Sequence, residues 1–316
     1  MITDEPFQVI EFNGSFDGPN LLIIAGVHGD EYEGIAAIRE LAGQLVSHRE
    51  HLHGSVTLIP IVNEPAFAIP ARCGDDGKDL ARTCPGSAEG SPTVRIAHAI
   101  SKRIRSADFF IDLHTGGMTM QVWPLIGYGL VADEPVLETQ RRMAKAFGLP
   151  LIWGTNASLK GRTLSVAWEA GVPAIYAEYL GGGMCSGKGV KSYVEGCLRV
   201  MTEFGILTGH EKPALLSDEH CLEDPRDQSG HMQICHPCPI AGFFESTVTL
   251  GEAITAGSLL GRVIPTDRGR THDIVANESG RIIVLRSCCS VQPDDPLAVI
   301  LENAPAAAFH DYPLSS

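Results

Sequence analysis

The sequence predicts an α/β fold, a largely parallel sheet flanked by helices, with a small β-rich unit behind it. Two observations carry this. Up to about residue 210, short continuous apolar runs alternate with segments of helical period, as in strand–helix–strand units whose sheet is buried on both faces. Beyond residue 230 the helical period is gone, and short β-type pieces alternate with turn residues.

The first apolar run, Leu21–Val27, ends at His28 and reads as a buried strand. Ile35, Ile38, Leu41, Ala42 and Leu45 follow at helical spacing and predict a helix over Glu33–Val46. Val56–Val62 is a second strand, closed by the turn signal Asn63-Glu64-Pro65. A loop rich in Gly, Asp, Arg and Pro spans roughly 70–92, and a helix is expected over Thr93–Arg105. Phe109–Leu113 is a third strand and delivers His114. Helices are expected over Pro135–Phe147, around Ser165–Ala170 and over Lys191–Leu207. A further apolar strand, Val172–Glu178, carries Glu178 at its end. Residues 210–230 are polar and read as a connector. Phe243–Leu250, Ser258–Ile264, Arg281–Leu285 and Leu297–Leu301 are β-type pieces, and a disordered tail is expected over Pro305–Ser316. The domain division is 1–215 and 230–304.

Composition narrows the function classes. With 24 basic against 38 acidic residues the net charge is −14, and no basic run exists to track a phosphate backbone, so no nucleic-acid partner is expected. No apolar stretch is long enough to span a bilayer, and the N-terminal residues lack a secretory pattern, so a cytoplasmic address is expected. The nine cysteines are scattered through a long chain and read as reduced thiols. Cys235-His236-Pro237-Cys238 lacks the second Cys/His pair of a structural zinc site. The sequence leaves open whether the chain forms a homo-oligomer.

The chemistry concentrates where the strands end, and open α/β sheets bind ligands at the carboxyl ends of their strands. His28 and Glu31 form an H-x-x-E set after the first strand, a spacing that puts both on one side of a helical turn. His114 follows the third. Two imidazoles and a carboxylate leave a zinc ion one open position, as catalytic sites require. Asp112, two residues before His114, points to the same face and is a candidate to orient that imidazole, or equally a buried acid bonded to backbone amides. Read blandly, His28 caps a helix and Glu31 answers its dipole. Glu178 is costly to bury without a purpose, and general base is such a purpose, with a strand-end ion pair the plainer alternative. Arg72 and Arg82 lie between the ligands. One guanidinium can stabilise the oxygen that becomes negative in amide hydrolysis, and a second can grip a carboxylate.

Gly26-Val-His-Gly-Asp-Glu31, Asp79-Leu-Ala-Arg82, Ile111-Asp-Leu-His-Thr115 and Ala177-Glu178-Tyr-Leu-Gly-Gly182 together resemble the succinylglutamate desuccinylase/aspartoacylase family, which is related to the zinc carboxypeptidases. The resemblance covers essentially the whole chain. It implies a zinc-carboxypeptidase-like catalytic domain over 1–215 and a lipoyl-like barrel over 230–304. It also implies one Zn2+ held by His28, Glu31 and His114, with Glu178 as the base, Arg72 polarising the scissile carbonyl and Arg82 holding a substrate carboxylate. The family pattern usually has Asn where this chain has Ala81, which removes one carboxylate donor. Phe243–Glu302 contains no lysine to carry a lipoyl-type modification, which leaves that unit a structural or gating role. The expected function is zinc-dependent deacylation of a small N-acylated amino acid or amine. Some members of the family remove acetyl from a diaminobutyrate. The rivals are a metallocarboxypeptidase acting on short peptides and a non-catalytic metal sensor.

Overall fold

The computed structural model describes residues 5–232, 236–267, 269–310 and 312. Strand β1 (Ile10–Asn13) leads into β2 (Phe16–Ala25), helix α1 (Glu33–Ser47), β3 (His53–Ile59) and a short helix α2 (Glu64–Ala68). Then come α3 (Pro92–Arg105), β4 (Phe109–His114), β5 (Met120–Leu130), α4 (Glu134–Phe147) and β6 (Leu151–Asn156). Helix α5 (Thr163–Glu169), β7 (Ala174–Gly181) and α6 (Gly187–Glu203) complete the alternating part. The remainder is β8 (Cys221–Asp224), β9 (Gly242–Ser246), β10 (Ala253–Ile254), β11 (Leu259–Ile264), β12 (His272–Val275), β13 (Gly280–Arg286), β14 (Ser290–Val291) and β15 (Ala298–Leu301).

Eleven strands form one mixed sheet along the path β1-β3-β2-β4-β7-β5-β13-β10, with β6 and β8 branching from β5 and β15 pairing β13. The pairs β2–β3, β2–β4, β4–β7, β5–β6 and β6–β8 are parallel. A second sheet, β12-β11-β9-β14, belongs to the C-terminal part. The predicted α/β architecture with a β-rich C-terminal sheet is the one observed, and the two parts are continuous, since β13 extends the main sheet by pairing β5.

Helices cover both faces. Ile35, Ile38, Leu41 and Leu45 of α1 pack with Leu21, Ile23 and Ala25 on one face. Ile96, Ile100 and Ile104 of α3 pack with Leu22, Ile24 and Phe110 on the other. Each such side chain contributes about 1.5–3 kcal/mol on burial, which explains why these strands read as unbroken apolar runs.

Several expectations are corrected. Strands β5 and β6 lie where no apolar-run strand is predicted. Pro124, Gly127 and Gly129 disguise β5, and the pairing of β5 with β7 shifts register between Val122 and Leu125, around Pro124. The connector supplies β8, an edge strand on β6. Glu178 is not at a strand end, because β7 runs on to Gly181. The tail is not disordered where it is described. Ala306–Phe309 forms a 3-10 turn, Phe309 stacks on Trp123 at 4.8 Å, and the Trp123 indole N–H donates to the Ala308 carbonyl. Residues 311 and 313–316 lie outside the described residues, as does Cys235. His236 spends Nδ1 on the Ala298 carbonyl, and its Nε2 accepts the Asn277 N–H. The eight described cysteines are free thiols. Among the described residues, no helix is long and apolar enough to cross a membrane.

Candidate metal centre

The ends of three neighbouring parallel strands build the site. After β2, Gly26 adopts φ +63°, and a Cβ there would meet the Ile61 backbone at 2.9 Å, so this turn requires glycine. The loop it opens carries His28 and Glu31 before α1 begins at Glu33. Their pairing therefore comes from a loop and not from the helical turn that the spacing suggests, and Tyr32, not His28, precedes the helix. His28 Nδ1 lies 2.6 Å from Glu31 Oε1, and His114 Nδ1 lies 2.9 Å from Glu31 Oε2. His114 closes β4 and sits in register with Glu178 on β7, which brings the candidate base beside the candidate ligand.

Both imidazoles are anchored through their other nitrogen. His28 Nε2 is 3.2 Å from Asp79 Oδ1, and His114 Nε2 is 3.1 Å from Asp112 Oδ2. The Thr163 hydroxyl donates to the same Asp112 oxygen, and the Tyr193 hydroxyl donates to the His114 carbonyl at 2.5 Å. Asp112 thus takes the orienting position expected of it. Asp79, whose motif the sequence displays but whose role it does not, does the same for His28. It also fixes Arg72, whose Nε and a terminal nitrogen donate to Asp79 Oδ2 at 3.1 and 2.9 Å. The remaining terminal nitrogen of Arg72 lies 3.5 Å from His28 Nδ1, facing the cluster.

Charge is distributed to match. Burial works against ionising Glu31, yet His28 and His114 hold its carboxyl well below the usual range. Burial likewise opposes a charged His114, but Asp112 and Glu31 raise it well above its ordinary value. Burial pushes Glu178 up to about 8, with His114 pulling it down and Glu31 adding to the rise.

These residues fit a divalent cation. One donor atom from each of His28, Glu31 and His114 lies within 4.8 Å of the others. Imidazole and carboxylate donors suit zinc, and carboxylates on the distal nitrogens orient histidine ligands. Two buried oxygens nearby, Glu178 Oε2 and Asp112 Oδ1, have no hydrogen-bond partner among the described residues.

The cluster floors a cleft of about 1050 Å3, mouth included, and all six residues singled out from the sequence line it: His28, Glu31, His114, Glu178, Arg72 and Arg82. One terminal nitrogen of Arg82 donates to the Ala81 carbonyl at 2.7 Å. The cleft adds Arg162, at the start of α5, which sequence reasoning missed because a lone arginine before a short helix has no pattern. Its Nε is buried without a hydrogen-bond partner among the described residues. Val284 and Pro296 bring the C-terminal part into the same wall.

Residues 17–203, more than half of the chain, match the family model of the succinylglutamate desuccinylase/aspartoacylase catalytic domain. The chain belongs to this family. Membership places it among amide-bond deacylases. An N-alpha-acetyl-L-2,4-diaminobutyric acid deacetylase of Halomonas elongata is 30% identical over 304 residues, covering 90% of this chain and 83% of the relative. The crystal structure of a succinylglutamate desuccinylase from Silicibacter sp. TM1040 superposes with a TM-score of 0.83 at 27% identity, covering 93% of this chain and 88% of the other. The product-bound ectoine utilization protein EutE (DoeB) of Ruegeria pomeroyi gives a TM-score of 0.81 at 29% identity, with 92% and 87% covered.

Proposed function

We propose that this deacylase is zinc-dependent and removes the acyl group from a small N-acylated amino acid. The observation that carries the reading is the convergence of His28 Nδ1, His114 Nδ1 and the Glu31 carboxylate while Asp79 and Asp112 hold both distal nitrogens. A zinc ion held by these three residues would supply Lewis acidity and lower the pKa of water to about 7.

The chain's own groups supply the rest. Glu178 takes a proton from the attacking water through Oε2, which has no hydrogen-bond partner among the described residues, and later delivers it to the leaving nitrogen. Arg72, locked by Asp79, points its remaining nitrogen at the scissile carbonyl oxygen and stabilises the negative charge that develops there. Arg82 and Arg162 hold the substrate carboxylate.

A small substrate is favoured over a peptide because Val284 and Pro296 close the cleft on the C-terminal side. The Halomonas elongata relative's named substrate makes Nα-acetyl-diaminobutyrate the natural first probe. The test is release of amino acid from N-acetyl substrates by the zinc-loaded protein, by the protein stripped with a chelator, and by Glu178→Gln. Turnover that needs the metal and is lost in Glu178→Gln supports the reading. Turnover that survives chelation, or is retained in Glu178→Gln, overturns it.

A further inference from the structure

Beyond the metal cluster, the cleft divides sharply by chemistry. Its cationic side is Arg82 and Arg162, which both line the cleft; burial lowers the pKa of each, and Arg162 adds to the lowering of Arg82. Two guanidinium groups in one wall suit a single substrate carboxylate. The rest of the described lining is mainly apolar, Thr155 and Asn156 apart. Leu164 and Trp168, one turn apart on α5, share its cleft-facing side, Arg162 lines the cleft from the residue before the helix, and Tyr176, Met232 and Val284 complete the surface.

This wall is built into the sheet. Gly127 and Gly129 are alternate residues of β5 and so lie on one face of it. A Cβ at Gly127 would fall 2.1 Å from the Tyr176 ring, and one at Gly129 would fall 2.5 Å from the Trp168 ring. The two glycines give up side chains in a central strand, at some cost to it, and the two aromatic rings take the space. The Trp168 indole N–H then donates to Gln140 Oε1 at 2.9 Å, and Gln140, fully buried, is itself fixed by donating to the Gly129 carbonyl. An amphipathic ring held by a buried amide is a rigid surface and not a loose filler.

Charge completes the contrast. The only carboxylates in the described lining are Glu31, Asp112 and Glu178, all in the metal cluster. Among the described residues of the lining, no carboxylate lies outside the metal cluster to pair with the second amine of a diaminobutyrate, and Ala81 offers no polar group to a side-chain carboxylate.

We propose, resting on the deacylase reading above, that the substrate is an N-acyl amino acid with a large apolar, preferentially aromatic, side chain. Its α-carboxylate lies between Arg82 and Arg162, and its side chain lies against Leu164, Trp168 and Tyr176.

The experiment has two arms. In the first, the zinc-loaded protein is given N-acetyl-phenylalanine, N-acetyl-leucine, N-acetyl-aspartate and Nα-acetyl-diaminobutyrate. The expected kcat/KM for phenylalanine and leucine is at least about tenfold above that for either charged substrate. In the second, binding of free phenylalanine and free diaminobutyrate to zinc-loaded Glu178→Gln is measured by calorimetry. Phenylalanine is expected to bind at least about tenfold more tightly. Trp168→Ala should raise KM for N-acetyl-phenylalanine more than for N-acetyl-alanine, and Trp168→Phe should restore most of the difference. If turnover is absent throughout but phenylalanine still binds preferentially, the catalytic reading falls and the apolar subsite stands. Preference for diaminobutyrate or aspartate in either arm overturns the subsite.

Discussion

Asp79 holds His28 from behind: Oδ1 lies 3.2 Å from His28 Nε2, while Oδ2 takes two hydrogen bonds from Arg72. One carboxylate therefore sets both a candidate ligand and the guanidinium proposed to meet the substrate carbonyl. Burial disfavours its charge, but the His28 hydrogen bond and Arg72 hold its carboxyl well below the usual range.

Replacing Asp79 with Asn keeps the shape and removes the charge. Metal affinity should fall about 10–100-fold, as when a partner behind a histidine ligand is lost. Because Arg72 is released at the same time, kcat should fall even at saturating zinc. Chelator competition and steady-state kinetics on one preparation measure both. Unchanged values for both would show that Asp79 is a bystander.

Tyr193→Phe deletes only the hydroxyl that donates to the His114 carbonyl, inside a buried contact between α6 and the end of β4. A stability loss of about 1 kcal/mol is expected from a single buried hydrogen bond. Zinc stoichiometry should be unchanged, since the carbonyl is not a ligand. Denaturant unfolding together with elemental analysis checks the two halves separately.

Asp76 gives a pH-dependent prediction away from the site. Helix α3 has no side-chain cap from Ser91. Instead Asp76 accepts the Thr93 N–H at 3.0 Å and the Thr93 hydroxyl at 2.7 Å from across the loop. Desolvation is the largest single influence and raises its pKa, but these and other hydrogen bonds together outweigh it and hold the carboxyl at about 2. A folded value below the unfolded value of about 3.9 means the stabilisation is full above that value and is lost as pH falls toward 2. Asp76→Ala should cost about 1 kcal/mol at pH 7 and progressively less below pH 4. A cost independent of pH would contradict the assignment.

Much of this was legible in the sequence because buried parallel strands must be apolar throughout, which exposes β2, β3, β4 and β7 and the candidate ligand residues at or near their carboxyl ends. His28, Glu31 and His114 stood out as polar residues where an apolar run stops. Strand β5 was hidden by the glycines that make room for Tyr176 and Trp168, so the feature that shapes the cleft is also the one that weakened the strand signal. Arg162 and the role of Asp79 were hidden for another reason. Each acts through a partner distant in sequence, and no local period records such a contact. Glu178 was found for its burial cost, although the strand continues past it to Gly181.

The central claim is that His28, Glu31 and His114 together hold one divalent ion. Elemental analysis of the purified protein beside His114→Ala, with folding of both verified by circular dichroism, tests it most directly. The account predicts about one zinc per chain in the parent and a near-complete loss in the folded variant. Equal metal content in the two, or none in a parent incubated with zinc, would contradict it.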